Sequence, residues 1–252
     1  MSRLAVIGGS GLTRLQNLEI TWREMVRTPY GEPSGPLVYG TVCGSEVVFL
    51  PRHGEAHTIP PHLVNYRANL WALKQRGVTT VIAVNAVGAI SPALRTPGLA
   101  VPDQIIDYTY SRAHTFFDGT GQPVTHVDFT TPYCESLRGA LVDAARECGI
   151  PVPEHCAYAA TQGPRFESAA EINRLEKDGA DVVGMTGMPE TALAREIGLC
   201  YASIAVVSNP AAGRGEGTID VREVERMLEA GMHQVLQVLE CVIPVARGLH
   251  ID

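Results

Sequence analysis

The sequence predicts an α/β fold in a single domain spanning residues 1–252. Three observations lead there. Short β-branched runs alternate with segments of helical period, and most of those runs are apolar at successive positions, as strands in a helix-covered sheet are. A chain of 252 residues, 45% hydrophobic and 19% charged, also holds enough apolar material for one sizeable core.

In order, "LAVIGG", "LVYGTV" and "EVVFLP" read as strands. A helix follows in which Tyr66, Leu70 and Leu73 fall at i, i+4 and i+7, stopping at Gly77. "TVIAVN" and "QIIDYT" are strands, Leu137 and Leu141 mark a helix that ends before Gly149, and "DVVGM" and "YASIAVVS" are strands again. The last helix has the clearest pattern. Asp220 suits its N-cap with Glu223 three residues on, Val221, Val224, Leu228, Met232, Val235 and Leu239 repeat at spacings of three and four, and Pro244 is expected to end it. No repeat, linker or low-complexity run interrupts the series, which assigns function to the loops.

Composition narrows the partners. A net charge of -7 and a pI near 5.6 give no surface suited to a nucleic-acid backbone or an anionic membrane, so a small molecule is expected. Cysteines 43, 134, 148, 156, 200 and 241 form no C-x-x-C pair, and Cys148, Cys200 and Cys241 fall in segments that read as core. Free thiols in a reducing compartment are the expectation. The N-terminus runs directly into a strand without a charged leader, and no stretch approaches the roughly 18 apolar residues of a membrane span, so a cytoplasmic location is expected.

Four loops carry chemistry. "VIGGSGL", Val6 to Leu12, is a glycine-rich turn after a strand whose N–H groups, with the Ser10 hydroxyl, suit an anion. Such a turn serves equally as a tight structural corner. Arg14 stands where a dinucleotide fingerprint wants a small residue, and no Gly-Lys-Ser/Thr follows for a Walker loop. "PRHGEAHTIPPHLVNY" brings Arg52, His53, His57 and His62, but Gly54, Pro60 and Pro61 break the helix face that a metal set at this spacing needs. Arginine beside histidine after a strand is better suited to clamping an oxyanion. "TQGPRFES" sets the Phe166 ring next to the Glu167 carboxylate, and "GMTGMPE" ends a strand with Met185 and Thr186 before a helix near Pro189.

In this order, with "NAVGAI" between the second and third, these motifs resemble the nucleoside phosphorylase family, on the branch of methylthioadenosine phosphorylase and the trimeric purine nucleoside phosphorylases. The resemblance spans nearly the whole chain. It implies a mixed, distorted sheet surrounded by helices, a homotrimer with pairing into hexamers left open, and phosphate-dependent cleavage of an N-glycosidic bond. Inorganic phosphate would be a co-substrate, with no cofactor and no metal. It further implies that Ser10, Arg52, His53, the Ala86 backbone and Thr186 hold phosphate. Phe166 would lie on the purine face, Met185 by the ribose, His57 near phosphate and sugar, and His126 would reach a neighbouring subunit's site. Arg52, His53 and Asn209 would be the catalytic set.

The loop "VVSNPAAGRGEG" speaks to the base. The methylthioadenosine enzymes carry two aspartates there, whereas this chain has Asn209 and Ala211. An amide donates to a 6-oxo group and accepts from a protonated N7, although turned over it also pairs with adenine. Glu167 suits the proton on N1 of a 6-oxopurine and would oppose the bare N1 of adenine. At the other end, Val224 takes the place of the histidine with which purine nucleoside phosphorylases bind a 5'-hydroxyl. The expected substrate is therefore S-methyl-5'-thioinosine. Methylthioadenosine, a broad range of 6-oxopurine nucleosides, non-catalytic purine binding and dinucleotide oxidoreduction are the competing readings. Gln162 and Gly187 depart from patterns common in the family, Asn85 follows the purine nucleoside pattern instead of the methylthio one, and the chain stops soon after its last helix, so a C-terminal contribution to the 5'-pocket is expected to be missing or to come from elsewhere.

Overall fold

The computed structural model describes residues 3–10, 12, 17–119, 121, 123–246 and 249. Gly11 and Arg14 of the glycine-rich turn lie outside them. Chain order among the described residues is β1 (Arg3–Gly8), β2 (Glu19–Glu24), β3 (Leu37–Val42), β4 (Ser45–Pro51), α1 (Tyr66–Gln75), β5 (Val78–Ala89), β6 (Gly98–Ala100), β7 (Gln104–Asp107), α2 (Glu135–Glu147), β8 (Ala157–Ala160), α3 (Ala169–Lys177), β9 (Val182–Gly184), α4 (Glu190–Glu196), β10 (Cys200–Pro210) and α5 (Val221–Ala246).

All ten strands join one mixed sheet in the order β2-β3-β4-β1-β5-β9-β8-β7, with β10 also alongside β5 and β6 alongside β10. The distortion comes from β5. Its pairing with β1 ends at Ile7↔Ala83, whereas β10 follows it in parallel from Cys200↔Thr80 to Pro210↔Ala89 and β9 joins antiparallel only at Gly88 and Ala89. A strand that outruns one neighbour and acquires another opens the sheet beyond the carboxyl ends of β1 and β4. Crevices of this kind are where α/β folds place ligands.

Alternation divides the core. Leu4 and Val6 of β1 pack with Ile82, Val84, Ile204 and Val206 beneath Leu137 and Leu141 of α2 and Val235 and Leu239 of α5. Ala5 and Ile7 turn the other way, with Val81 and Ala83, towards Leu70 and Leu73 of α1 and Leu193 of α4. Both faces are covered, which is why the strands read as apolar at every position.

Several elements differ from expectation. β2 is exposed along its length and is backed by Trp22 stacked on Tyr39 at 4.0 Å; β8, "AYAA", has no β-branched residue. α3, for which no helix was expected, follows directly on the "TQGPRFES" loop, whose last residue Ser168 is its N-cap and closes a capping box with Glu171. Pro244 does not end the last helix, which continues to Ala246. A proline there removes one N–H with barely two residues of helix left, so the loss falls in the final turn. Asp220 Oδ1 accepts the Arg222 N–H at 2.9 Å, but Glu223 pairs with Arg226 rather than folding back.

The cysteines also need correction. Cys134 and Cys200 form a disulfide across 66 residues, and Cys43 and Cys241 are exposed. Linear separation concealed the pair: Cys134 N–H bonds to Tyr201 O at 2.9 Å, which lays the start of α2 beside the start of β10.

Gly231 marks a close approach of α5 to the sheet, since a Cβ there would lie 2.5 Å from Val206 Cγ1. Gly231→Ala gains about 1 kcal/mol of helix propensity but forces overpacking that costs about 1–3 kcal/mol. Thermal unfolding is expected to show a lowered Tm; a Tm at or above that of the parent protein would contradict this packing.

Candidate active site

A cavity of about 810 Å³ opens where the sheet forks. Strand ends deliver its lining: Gly9 and Ser10 after β1, Arg52 and His53 after β4, Ala86 in β5, Met185 and Thr186 after β9, Ser208 and Asn209 late in β10. Phe166, Glu167, His57, Ala211 and Val224 complete the set expected in this subunit. A volume of this order suits a small ligand with a companion anion.

Arg52 is wholly buried. Its Nε and Nη2 donate to Glu190 Oε2 and Oε1 at 2.7 and 2.8 Å, and Nη1 donates to Val84 O at 2.8 Å. Tyr201 O–H adds a bond of 2.8 Å to Glu190 Oε1. Burial works against the Arg52 charge, but the Glu190 carboxylate outweighs it and the net shift is upward. Three of the five guanidinium N–H groups are thus committed, leaving one on each terminal nitrogen. Gly9 permits the close passage of β1, for a Cβ there would sit 2.8 Å from Arg52 Nη1.

His53 is read differently from expectation. Nδ1 lies 2.7 Å from the Ile59 carbonyl, an acceptor only, so Nδ1 carries the proton. Burial and then the Arg52 charge push its pKa down to about 4. The neutral ring offers Nε2 as an acceptor, not a donor. His57, held at φ 52°, stands 4.7 Å from it between ring centroids and 3.3 Å from Ser10 Oγ through Nε2. Burial lowers its pKa as well.

Asn85, which follows the purine nucleoside pattern, accounts for one of the differences noted above. It donates to Thr186 Oγ1 at 2.8 Å and accepts from Ser203 Oγ at 2.6 Å, so the Thr186 hydroxyl keeps its own hydrogen to give. Gly187 explains another, since a Cβ would lie 2.8 Å from Ile105 Cδ1 and 3.0 Å from the Tyr158 ring. Gln162 Oε1 accepts from the Tyr110 N–H and Arg112 Nε, each at 3.1 Å.

The Asn209 amide is oriented. Nδ2 lies 2.7 Å from Pro210 O, which can only accept, and Oδ1 accepts from Ser208 Oγ at 3.0 Å. Turning the amide over would set oxygen against oxygen. One N–H and one lone pair are left for a ligand. Glu167 Oε1 is held by Thr161 Oγ1 at 2.6 Å, leaving Oε2. Ala211 is buried, with its N–H on Ala89 O at 2.7 Å.

α5 forms the remaining wall. Leu228 and Met232 are buried, whereas Val221 is 55% exposed and Val224 is half-buried at the cavity. The first turns of the apolar stripe therefore serve the cavity rather than the core. Glu225, Glu229 and His233 also line this side, and sequence reasoning did not single them out. It also passed over Glu190, Tyr201 and Arg112. The last donates to the carbonyls of Met185, Met188, Thr161 and Gln162, binding together the two loops that carry Phe166 and Thr186. His126 is exposed and is not among the residues lining this cavity.

The Phosphorylase superfamily model matches residues 3–244. Over 243 residues the chain is 52% identical to the probable S-methyl-5'-thioinosine phosphorylase of Pseudomonas syringae pv. tomato, covering 96% of this chain and 99% of that one. It is 45% identical over 250 residues to the 6-oxopurine nucleoside phosphorylase of Pyrococcus furiosus, covering 97% and 93% of the two chains. The solved methylthioadenosine phosphorylase from Schistosoma mansoni in complex with adenine matches with a TM-score of 0.93 at 34% identity, over 97% of this chain and 92% of the other. On the forked sheet and on these matches, the chain belongs to the phosphorylase superfamily.

Proposed function

We propose that the protein cleaves S-methyl-5'-thioinosine with inorganic phosphate, releasing hypoxanthine and 5-methylthioribose 1-phosphate. The oriented Asn209 amide carries this reading: its free N–H suits O6 and its free lone pair suits a protonated N7. Glu167 Oε2 takes the N1 proton that hypoxanthine has and adenine lacks. Val221, Val224 and Leu228 give the 5'-substituent an apolar wall, and the 52% identical relative bears the matching name.

In this mechanism a phosphate oxygen closes on C1' as the bond to N9 breaks, so positive charge grows on the sugar and negative charge on the purine. The nucleophile is phosphate itself, and the reaction needs neither a cofactor nor a metal. The two remaining N–H groups of Arg52, the Ser10 and Thr186 hydroxyls and the Ala86 backbone bind the anion, while His53 Nε2 accepts from its P–OH group. Fixed donors of this kind act without reorganising as charge moves. Asn209 stabilises the departing base, and Met185 and His57 lie at the sugar.

The assembly we propose is a homotrimer in the cytoplasm. The segment around His126 supports it: Val124 and Val127, on either side of that histidine in the chain, are 80% and 38% exposed, outside the cavity of their own subunit. A neighbour's cavity is where His126 would act.

Base choice should be strict and 5'-choice loose. Hydrogen-bonded sites discriminate by ~10⁴–10⁵, and an apolar pocket rejects an added hydroxyl by only ~10². Parallel phosphorolysis assays are expected to rank methylthioinosine first, inosine measurably slower, and methylthioadenosine and adenosine near background; a faster rate with methylthioadenosine would overturn the assignment. Asn209→Asp combined with Ala211→Asp should move preference towards adenine nucleosides, and unchanged selectivity would remove the loop as selector. Arg52→Lys keeps a buried cation but loses the fork. It should raise the phosphate KM at least ~10-fold with little change in nucleoside KM, as should Glu190→Gln; equal effects on both KM values would contradict the phosphate role.

Stability should depend on His53. Its folded pKa lies near 4, below its ordinary 6.5, so the unfolded chain takes up the proton first as pH falls. The contribution is complete above pH 6.5 and is lost towards pH 4, on the order of 3 kcal/mol. Urea unfolding of the protein and of His53→Gln should show a shallower pH dependence in the variant; parallel slopes would contradict the buried neutral ring.

A further inference from the structure

Helix α2 has a cysteine at each end, Cys134 at its N-cap and Cys148 at its C-cap. The first is already bonded to Cys200, which starts β10. The second is partly exposed and faces an exposed cysteine of α5, with Cys148 Sγ 3.2 Å from Cys241 Sγ. Cys148 Sγ also lies 3.6 Å from Gln237 O, one turn before Cys241. A disulfide has its sulfurs about 2.0 Å apart. The remaining gap is about 1.2 Å, between sulfurs on two helices that pack against the same core.

We propose that Cys148 and Cys241 are a second disulfide site, formed and broken reversibly by exchange with a small-molecule disulfide such as oxidised glutathione. Exposure makes Cys241 the entry thiol. Its thiolate attacks one sulfur of glutathione disulfide, giving a mixed disulfide and releasing one glutathione thiolate. The Cys148 thiolate then attacks Cys241 Sγ and displaces the second. The two cysteines lose two protons and two electrons; the oxidant gains them and leaves as two molecules of glutathione.

Burial, the bond to Cys241 and the nearby Glu147 and Glu240 carboxylates push the Cys148 thiol up to about 11. Its attack is therefore slow at neutral pH and quickens as pH rises. With both bonds in place, α2 is tied at one end to the strand that carries Asn209 and at the other to the helix that walls the cavity. Closing a connection of 93 residues restricts the unfolded chain, so the bond is expected to register mainly in stability.

The test incubates the folded enzyme in reduced or oxidised glutathione, maps the peptides by mass spectrometry and measures Tm. In oxidised glutathione the protein should yield a cross-linked pair of peptides carrying Cys148 and Cys241, and a Tm several degrees higher, on the order of 5 °C. Reduced glutathione should reverse both. Cys148→Ser should stop at a glutathione adduct on Cys241 with no gain in Tm, and Cys241→Ser should give no cross-link. Cys43, also exposed, is expected to take up glutathione in every variant and is distinguished by its own peptide. A stable adduct on Cys241 beside a free Cys148 in the parent protein, or both thiols remaining open to alkylation, would overturn the proposal.

Discussion

The site depends on one buried ion pair. Arg52, at the end of β4, and Glu190, at the start of α4, share two hydrogen bonds with no exposure to solvent. Val84 of β5 and Tyr201 of β10 close the arrangement. Four elements that meet at the fork are thereby fixed around a single guanidinium. Removing either partner would leave a buried charge alone at about 3–5 kcal/mol, which favours keeping the pair together. In the proposed reaction this rigidity means the anion meets a cation that does not have to move. The cost is that only two N–H groups remain, and the hydroxyls and the backbone must supply the rest.

The other end of the cavity uses the same device, fixing side chains by hydrogen bonds from their neighbours. Pro210 and Ser208 orient the Asn209 amide, and Thr161 steadies Glu167. A free amide would serve adenine as readily as hypoxanthine. In the proposed reaction, orientation by a carbonyl that can only accept would give the residue its preference. The α5 side presents Val221, Val224 and Leu228, with Glu225, Glu229 and His233 also at the cavity, and in the proposed reaction it would distinguish substrates less.

Much of this was legible in the sequence because it is local. Buried strands such as β1 and β10 advertise themselves by β-branched apolar runs, and glycine-punctuated loops after strands mark the lining of the cavity. β8 was not legible because three alanines and a tyrosine become a strand only between β7 and β9. β2 was missed although Ile20 and Trp22 alternate with polar residues, because both stay exposed on an edge strand and the segment lacks a β-branched apolar run. Among site residues, Arg52 was readable from its place after a strand, but its partner lies 138 positions away. Arg112 gave no signal, since it binds carbonyls, which every residue has. The His53 tautomer depends on the Ile59 carbonyl, and the Cys134–Cys200 bond on the packing of α2 against β10; neither follows from residue type or spacing.

The account rests on a site formed before its ligands arrive. The most direct measurement is the structure of the complex with hypoxanthine and phosphate. It should show the Arg52–Glu190 fork intact, phosphate on the remaining Arg52 N–H groups, O6 on Asn209 Nδ2 and the N1 proton on Glu167. An Arg52 that abandons Glu190 to embrace the phosphate, or a base bound with O6 turned away from Asn209, would contradict it.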